Sequence, residues 1–350
     1  MLRWLKKQVI NLKYSIKALP DVRRIANEVS YFPEEKRRNK AQRILDNIFW
    51  IIKYHESNNF YNIYGLDLQK NKNKGNDYLD YRSFMLKRNS LNKLGNWRSS
   101  VILLRDKFLF YKYLKSCGIK VPDVFAVYDN GNLYDIDLNR IELDSIKDKT
   151  DFFIKIIDGE CASFVKHINN YDEFLSIKNQ LINGKYIFQY ALKQSDKLNL
   201  LNPHSVNTLR IVSISDSQGN VHILSSIIRI GTKKSGNVDN WAVGGLAVGI
   251  KPDGYLNEYG FYKPNYGTKT NQHPDTNITF SDYKIDNYQE ILEIVKQTHK
   301  KFYGIRVIGW DVALCNDGVY FIEGNDNWEI SLMQAANGPL RKKWDSLIQK

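Results

Sequence analysis

Residues 309–327, GWDVALCNDGVYFIEGNDN, constrain the fold more tightly than any other stretch of this chain. Two short apolar runs flank Asn316-Asp317-Gly318, so the pattern predicts a β-hairpin. A three-residue loop ending at Gly318 makes Cys315 face Val319 and sets Asp311 opposite Glu323. Asn325 then projects from the same face as Glu323, while Val312–Ile322 and Leu314–Tyr320 pair toward a core. A two-residue loop would put Asp311 on the opposite face from Glu323; the glycine at 318 favours the longer loop. Two facing carboxylates repel each other, and a hard divalent cation relieves that repulsion. Mg²⁺ takes oxygen ligands, typically one or two carboxylates together with phosphate oxygens and water. Asp311, Glu323 and Asn325 are therefore candidate Mg²⁺ ligands. The bland alternative is an exposed Asp311 near a strand end and a Glu323 paired with a lysine.

Cations upstream suit a polyphosphate on such a metal. Lys155 interrupts the apolar run FFIKII, and burying a lysine is costly without an anion nearby. The small-residue loop that follows, residues 158–163 ending at Ser163, would let backbone N–H groups approach phosphate. With one glycine it is no Walker motif, and Lys155 taken alone also fits a snorkelling surface side chain. Lys107 falls at the start of the helix expected over residues 106–117, where the helix dipole disfavours a cation. Arg210 interrupts the apolar strand TLRIVSI, and its guanidinium fork matches a phosphate or an acyl phosphate.

The rest of the chain is read from composition and periodicity. At 350 residues with 43% hydrophobic residues, it can bury two or three cores. Three scattered cysteines offer neither a zinc pattern nor a disulfide framework. Lys and Arg interrupt the first residues too often for a signal peptide, and no run reaches the roughly 18 apolar residues of a membrane span. A cytoplasmic location is expected. Residues 1–40 hold eleven Lys/Arg against four Asp/Glu, 11 − 4 = +7, over half the net +13. There Leu2, Leu5, Val9, Leu12 and Ile16 recur at helical spacing with bases between them. Such a helix either packs on its own domain or docks on an anionic membrane surface, peripheral to the inner face. Residues 71–77 read as a flexible polar turn. Residues 281–303 read as a helix leading into the hairpin, and residues 124–136 as a strand, an Asn-Gly turn and an extension.

The helix-entering Asp106-Lys107, the strand lysine and small loop, the strand IFQYAL, Arg210 and finally the carboxylate hairpin follow an order that resembles the ATP-grasp superfamily. NPHSVNTLRIVSI, WAVGGLAVGI and GWDVALCNDGVYFIEGNDNWEISLMQ are most similar to its sugar-transfer-associated branch and to alpha-L-glutamate ligase-like proteins. The resemblance covers about residues 96–345. It implies an α+β fold whose two lobes hold ATP between them; the basic, mainly helical region at 1–95, read from composition and periodicity, is not matched to the family core. Residues 96–150 would form the lobe preceding the ATP-grasp core, 151–198 the small lobe and 199–350 the C-terminal lobe. Lys107, Lys155 and Ser163 would contact phosphates, and Gln189, Tyr190 and Ala191 would form the adenine hinge. Asp196 would face the ribose, Arg210 would meet the γ-phosphate or acyl phosphate, and Asp311, Glu323 and Asn325 would hold Mg²⁺. Gln189 departs from the glutamate of many members, and the 158–163 loop is poorer in glycine than usual.

The reaction so implied phosphorylates a carboxylate with ATP and lets an amine displace the phosphate. Arg210 and Lys155 would be catalytic, since charge neutralisation and positioning carry such chemistry and no protein nucleophile is required. His204, Asn207, Asn240, Asn327 and Trp328 are candidate acceptor contacts; each also fits a purely structural role. The expected substrates are a glycan or sugar carboxylate, such as a uronic acid, and an amine or amino acid, in surface-polysaccharide biosynthesis. Two alternatives are a kinase acting on a hydroxyl and a non-catalytic nucleotide-binding or docking protein. Nucleic acid is not an expected partner, because no reader motif is present and the aromatics are not interleaved with a basic stripe.

Overall fold

The computed structural model describes residues 2–92, 100–158, 164–181, 183–236 and 238–349. Two antiparallel sheets organise them. The smaller sheet contains β1 (Val124–Asp129), β2 (Asn132–Tyr134), β3 (Arg140–Ile141), β4 (Phe152–Ile156), β5 (Val165–Ile168) and β6 (Lys185–Tyr190) in the order β3-β2-β1-β6-β4-β5. β1 and β2 join through Asn130-Gly131, both at positive φ, as the Asn-Gly signal requires of a two-residue hairpin. Alternation puts Ala126, Tyr128, Phe152, Ile154 and Phe188 into one aromatic-rich core.

The larger sheet runs β11-β10-β9-β8-β7-β12-β13. Its strands are β7 (Leu209–Ser215), β8 (Val221–Ile230), β9 (Leu246–Ile250), β10 (Leu256–Tyr262), β11 (Lys269–Thr270), β12 (Val307–Cys315) and β13 (Gly318–Asn325). Both faces of its central strands are covered, so β7, β9 and β12 read as nearly continuous apolar runs. On one face Leu209, Ile211, Ile228, Ile308, Trp310 and Val312 pack with Leu104, Phe110 and Leu114. The helix behind that contact is Lys107–Ser116, capped by Asp106 through Leu109 N (2.8 Å) and stopped at Gly118, which adopts positive φ.

The other face carries a second core that joins distant parts of the sequence. Val212, Ile214 and Leu224 meet Trp328, Met333 and Trp344 from the C-terminal helices, and also Ile25, Tyr31, Trp50, Tyr61 and Phe84 from the first ninety residues. The basic front is thus bound to the large sheet by a shared core. Residues 71–77 are organised into short 3-10 turns with Asn73 at positive φ. The helix expected from residue 281 begins at Tyr288 instead. Its first residues are drawn into extended pairing, with Leu256 N on Tyr283 O (3.0 Å) and Ile285 N on Gly254 O (2.9 Å), and that pairing overrides helical periodicity.

The helix Leu2–Ala18 also departs from the bland expectation. Ala18 is buried with Val22 and Ile51, but the predicted apolar stripe is not: Leu5, Val9, Leu12 and Ile16 are exposed, Val9 by 67%. The adjacent helix Lys40–Tyr54, held by an Asn39/Gln42 capping box, exposes Leu45, Phe49 and Ile52. Two neighbouring helices therefore turn apolar stripes outward.

Candidate active site

The hairpin brings Asp311 opposite Glu323, by a route other than the expected loop. Its turn is the two residues Asn316-Asp317, with Cys315 facing Gly318, Leu314 facing Val319 and Val312 facing Phe321. A bulge between Val312 and Asp311 adds one residue on β13 and restores the register, so Asp311 faces Glu323 and Gly309 faces Asn325. The three-residue loop and the Cys315–Val319, Leu314–Tyr320 and Val312–Ile322 pairings are corrected accordingly. Asn325 Nδ2 donates to Glu323 Oε1 (3.2 Å), which joins these two side chains.

Asp311 is neither exposed nor alone. It is 2% exposed and lies across from Arg210 on β7, whose Nη2 donates to Oδ2 (2.9 Å) and whose Nε donates to Oδ1. Arg229 on β8 adds a second guanidinium, with Nη2 on Oδ2 at 3.0 Å. Burial works against the charged carboxyl, yet Arg210 and Arg229 together hold Asp311 well below the usual carboxylate range. Arg229 is fixed in turn by Thr208 Oγ1 (2.7 Å) and by Asp239, 3.5 Å away. Sequence reading missed Arg229, Thr208 and Asp239. The signal for Arg229 was the one used for Arg210: an arginine interrupting an apolar strand, here SSIIRIG.

The small sheet contributes the remaining cations. Lys155 Nζ donates to Gln189 Oε1 (2.7 Å), and Gln189 Nε2 donates to Pro122 O (3.2 Å). Desolvation lowers Lys155 to about 8, opposed by the attraction of Glu323 and reinforced by repulsion from Lys107. The partner of Lys155 on its own sheet is thus a neutral glutamine. Lys107 is lowered by the same desolvation, again opposed by Glu323. Glu323 is raised, by burial first and then by Asp311. Lys107, Lys155, Gln189 and Glu323 line one cleft between the sheets, whose apolar wall includes Val121, Ile187 and Phe321. With Arg210, Arg229, Asp311 and Asp239 beside it, four cations meet three carboxylates, an arrangement suited to a polyanion.

Other predicted positions fall elsewhere. Tyr190 N donates to Asp123 O (2.9 Å) and Ala191 N to Asp151 O (3.0 Å), so both N–H groups expected at an adenine hinge already have partners. Asp196 is exposed and exchanges hydrogen bonds with Asn316. Asn207 is fully buried and bonds Gln194, Leu198 O and Asn202 O; it organises a loop and is no pocket wall. Asn240 caps a short turn through Ala242 N (2.9 Å), and His204 is exposed, its backbone N–H bonded to Asn202. Asn327 accepts from Arg88. Trp328 is a core residue, edge-on to Phe84 and Trp344 and 2% exposed, which removes it as a stacking platform for a sugar. Ser163 and the loop residues 159–163 lie outside the described residues.

The family model for sugar-transfer associated ATP-grasp proteins matches residues 86–345. The chain belongs to that family. The match begins within the helix Tyr81–Leu91, about ten residues before the resemblance read from motifs. The ATP-grasp fold here is α+β, two antiparallel sheets flanking the cleft, with a helical N-terminal region packed on the larger one. No curated protein matches the chain. Among solved structures it is similar to an L-amino acid ligase from Bacillus licheniformis (14% identity, 69% of this chain and 45% of that one, TM-score 0.42). It is also similar to N5-carboxyaminoimidazole ribonucleotide synthetase from Thermotoga maritima (13%, 64% and 42%, 0.37). D-alanine–D-alanine ligase from Bacillus anthracis, complexed with ATP, gives 13%, 70% and 61%, with a TM-score of 0.38. The chain spans less than half the length of the first two.

One pH dependence follows from the cleft. Lys155 is charged below about 8 and neutral above it. A phosphate ligand prefers the charged form, so ATP affinity is expected to fall as pH rises through 8, by up to about tenfold per unit. Calorimetric titration between pH 7 and 9 checks this, and Lys155→Ala is expected to lose that dependence.

Proposed function

We propose that this ATP-grasp protein is an ATP- and Mg²⁺-dependent carboxylate–amine ligase acting through an acyl phosphate. The observation that carries this reading is the convergence of Lys107, Lys155, Arg210 and Arg229 with Asp311, Glu323 and Asn325 across one cleft. Asp311 and Glu323 offer carboxylate oxygens and Asn325 an amide oxygen, its Nδ2 being turned to Glu323, a set that fits a hard cation. Asp311 oxygens that accept guanidinium bonds retain further lone pairs. When bound, Mg²⁺ would neutralise phosphate charge and orient the oxygens.

The chain's own residues do the rest. Lys107 and Lys155 bind phosphate oxygens, and the apolar wall at Val121, Ile187 and Phe321 receives the base. Arg210 and Arg229 position the acceptor carboxylate, whose oxygen attacks the γ-phosphorus while the bond to the ADP oxygen breaks. The amine nitrogen then attacks the acyl carbon, phosphate leaves with the C–O electron pair, and the amine proton passes to solvent or phosphate. The acceptor class we propose is a sugar carboxylate such as a uronic acid, with an amino acid as amine, in surface-polysaccharide biosynthesis. Mass spectrometry of reactions with ATP, Mg²⁺, uronate glycans and amino acids tests this. An amide product with stoichiometric ADP is expected; ADP without amide overturns it.

The exposed helical stripes support a second part of the reading, docking on an anionic membrane surface at the cytoplasmic face. The helix Leu2–Ala18 carries five bases and no acid, beside exposed Leu5, Val9, Leu12 and Ile16 and the neighbouring Phe49 and Ile52. Among the described residues no helix is long and apolar enough to cross a membrane. The full chain is expected to co-sediment with vesicles containing phosphatidylserine, and Val9→Glu/Leu12→Glu to remain in the supernatant. Equal sedimentation of both proteins would reject docking.

A further inference from the structure

A cavity of about 320 Å³ lies where the N-terminal region meets the start of helix Ile330–Asn337, bordered by Trp50, Tyr64 and Leu79 of the core shared with the large sheet. It is separate from the phosphate cleft and shares none of its lining residues. Its size falls at the lower end of small-molecule pockets, about 300–1,000 Å³. The chain from Asn325 to Glu329 is four residues, so the cavity wall at Glu329 is at most about 14 Å, Cα to Cα, from that end of β13.

The wall chemistry is selective. Trp50, Phe60, Tyr64 and Tyr81 supply aromatic surface, and Glu56 and Glu329 supply carboxylates. No Lys, Arg or His lines it among the described residues, although the chain carries a net charge of +13. A nucleotide, phosphate or uronate would therefore meet Glu329 and, once ionised, Glu56, which burial first and then Asp80 raise to about 7. The groups are fixed in advance. Glu56 accepts from the backbone N–H of Tyr81 (2.7 Å) and Arg82 (2.9 Å), and Glu329 accepts from Ser331 Oγ (2.7 Å). Tyr64 stacks on Tyr78 and Phe60, and Phe60 on Trp241. Among the described residues Trp50 Nε1 and Asn58 Nδ2 have no hydrogen-bond partner, and both atoms are sealed behind the wall.

We infer that this cavity binds a neutral sugar ring. Aromatic surface at Trp50 and Tyr81 takes the C–H face of a pyranose, and the carboxylates accept its hydroxyl protons. The inference goes beyond the ligase reading and does not depend on it, because binding here requires no ATP.

The test is saturation-transfer NMR on the full chain without nucleotide. The probes are methyl pyranosides of glucose, galactose and mannose, N-acetylglucosamine, glucuronate and ethanolamine. At least one neutral sugar is expected to receive saturation at its ring C–H protons, with glucuronate and ethanolamine silent. Glu329→Gln and Tyr81→Ala are each expected to weaken that binding about tenfold, while ATP binding and the unfolding temperature stay near wild type. Silence of every neutral sugar, binding of ethanolamine instead, or binding unchanged in both variants overturns the inference. If one variant misfolds, the other decides.

Discussion

Asp311→Ala is expected to destabilise the chain by about 3–5 kcal/mol, because it leaves two guanidinium groups without their carboxylate. Arg210 and Arg229 both point at that one buried side chain, and replacing it removes the bonds to Oδ1 and Oδ2 together. Against a typical total of about 5–15 kcal/mol, such a loss shifts a urea midpoint visibly. Removing Arg210 as well should recover part of the loss, since only Arg229 then lacks Asp311, and Asp239 remains beside it. A change under about 1 kcal/mol for Asp311→Ala would mean that the triad is a surface arrangement of little weight.

Glu323→Ala is expected to behave in the opposite way. Glu323 is held at a raised pKa by burial and by Asp311, so its charge is a burden on the folded state without a ligand. Removing it should leave the unfolding midpoint unchanged or higher at neutral pH. The same change removes a cation ligand and the carboxylate that attracts both Lys155 and Lys107. ADP release is expected to fall by at least about a hundredfold, in line with loss of one preorganised charge-stabilising group. Full activity in that variant would contradict the metal assignment. The pair separates two contributions on facing strands: Asp311 organises the two guanidinium groups in addition to any ligand contact, whereas Glu323 answers mainly to the ligand.

Much of this arrangement was legible in the sequence because strand periodicity is strict. Asp311 opposite Glu323 follows from a count of residues across a hairpin. The turn itself was misread by one residue, and a bulge, which leaves little trace in side-chain pattern, absorbed the difference. Lys155 and Arg210 were visible as charges in apolar strands, and Arg229 would have been visible by the same rule. Trp328 and Asn207 were not assignable, since a tryptophan or asparagine beside a site looks alike in sequence whether it faces a ligand or a core. Their roles depend on partners more than a hundred residues away or on a closed loop network. The outward stripes on helices Leu2–Ala18 and Lys40–Tyr54 were equally hidden: periodicity says that a helix has an apolar face but not what covers it.

The central claim, that the cleft activates a carboxylate with ATP, is tested most directly by trapping the acyl phosphate with hydroxylamine. The full chain, ATP, Mg²⁺ and a uronate-bearing glycan are incubated with hydroxylamine in place of the amine, and hydroxamate and ADP are measured together. The account predicts hydroxamate in proportion to ADP, both lost in Glu323→Ala. A phosphate that stays on the acceptor, resists hydroxylamine and forms without any hydroxamate would contradict it.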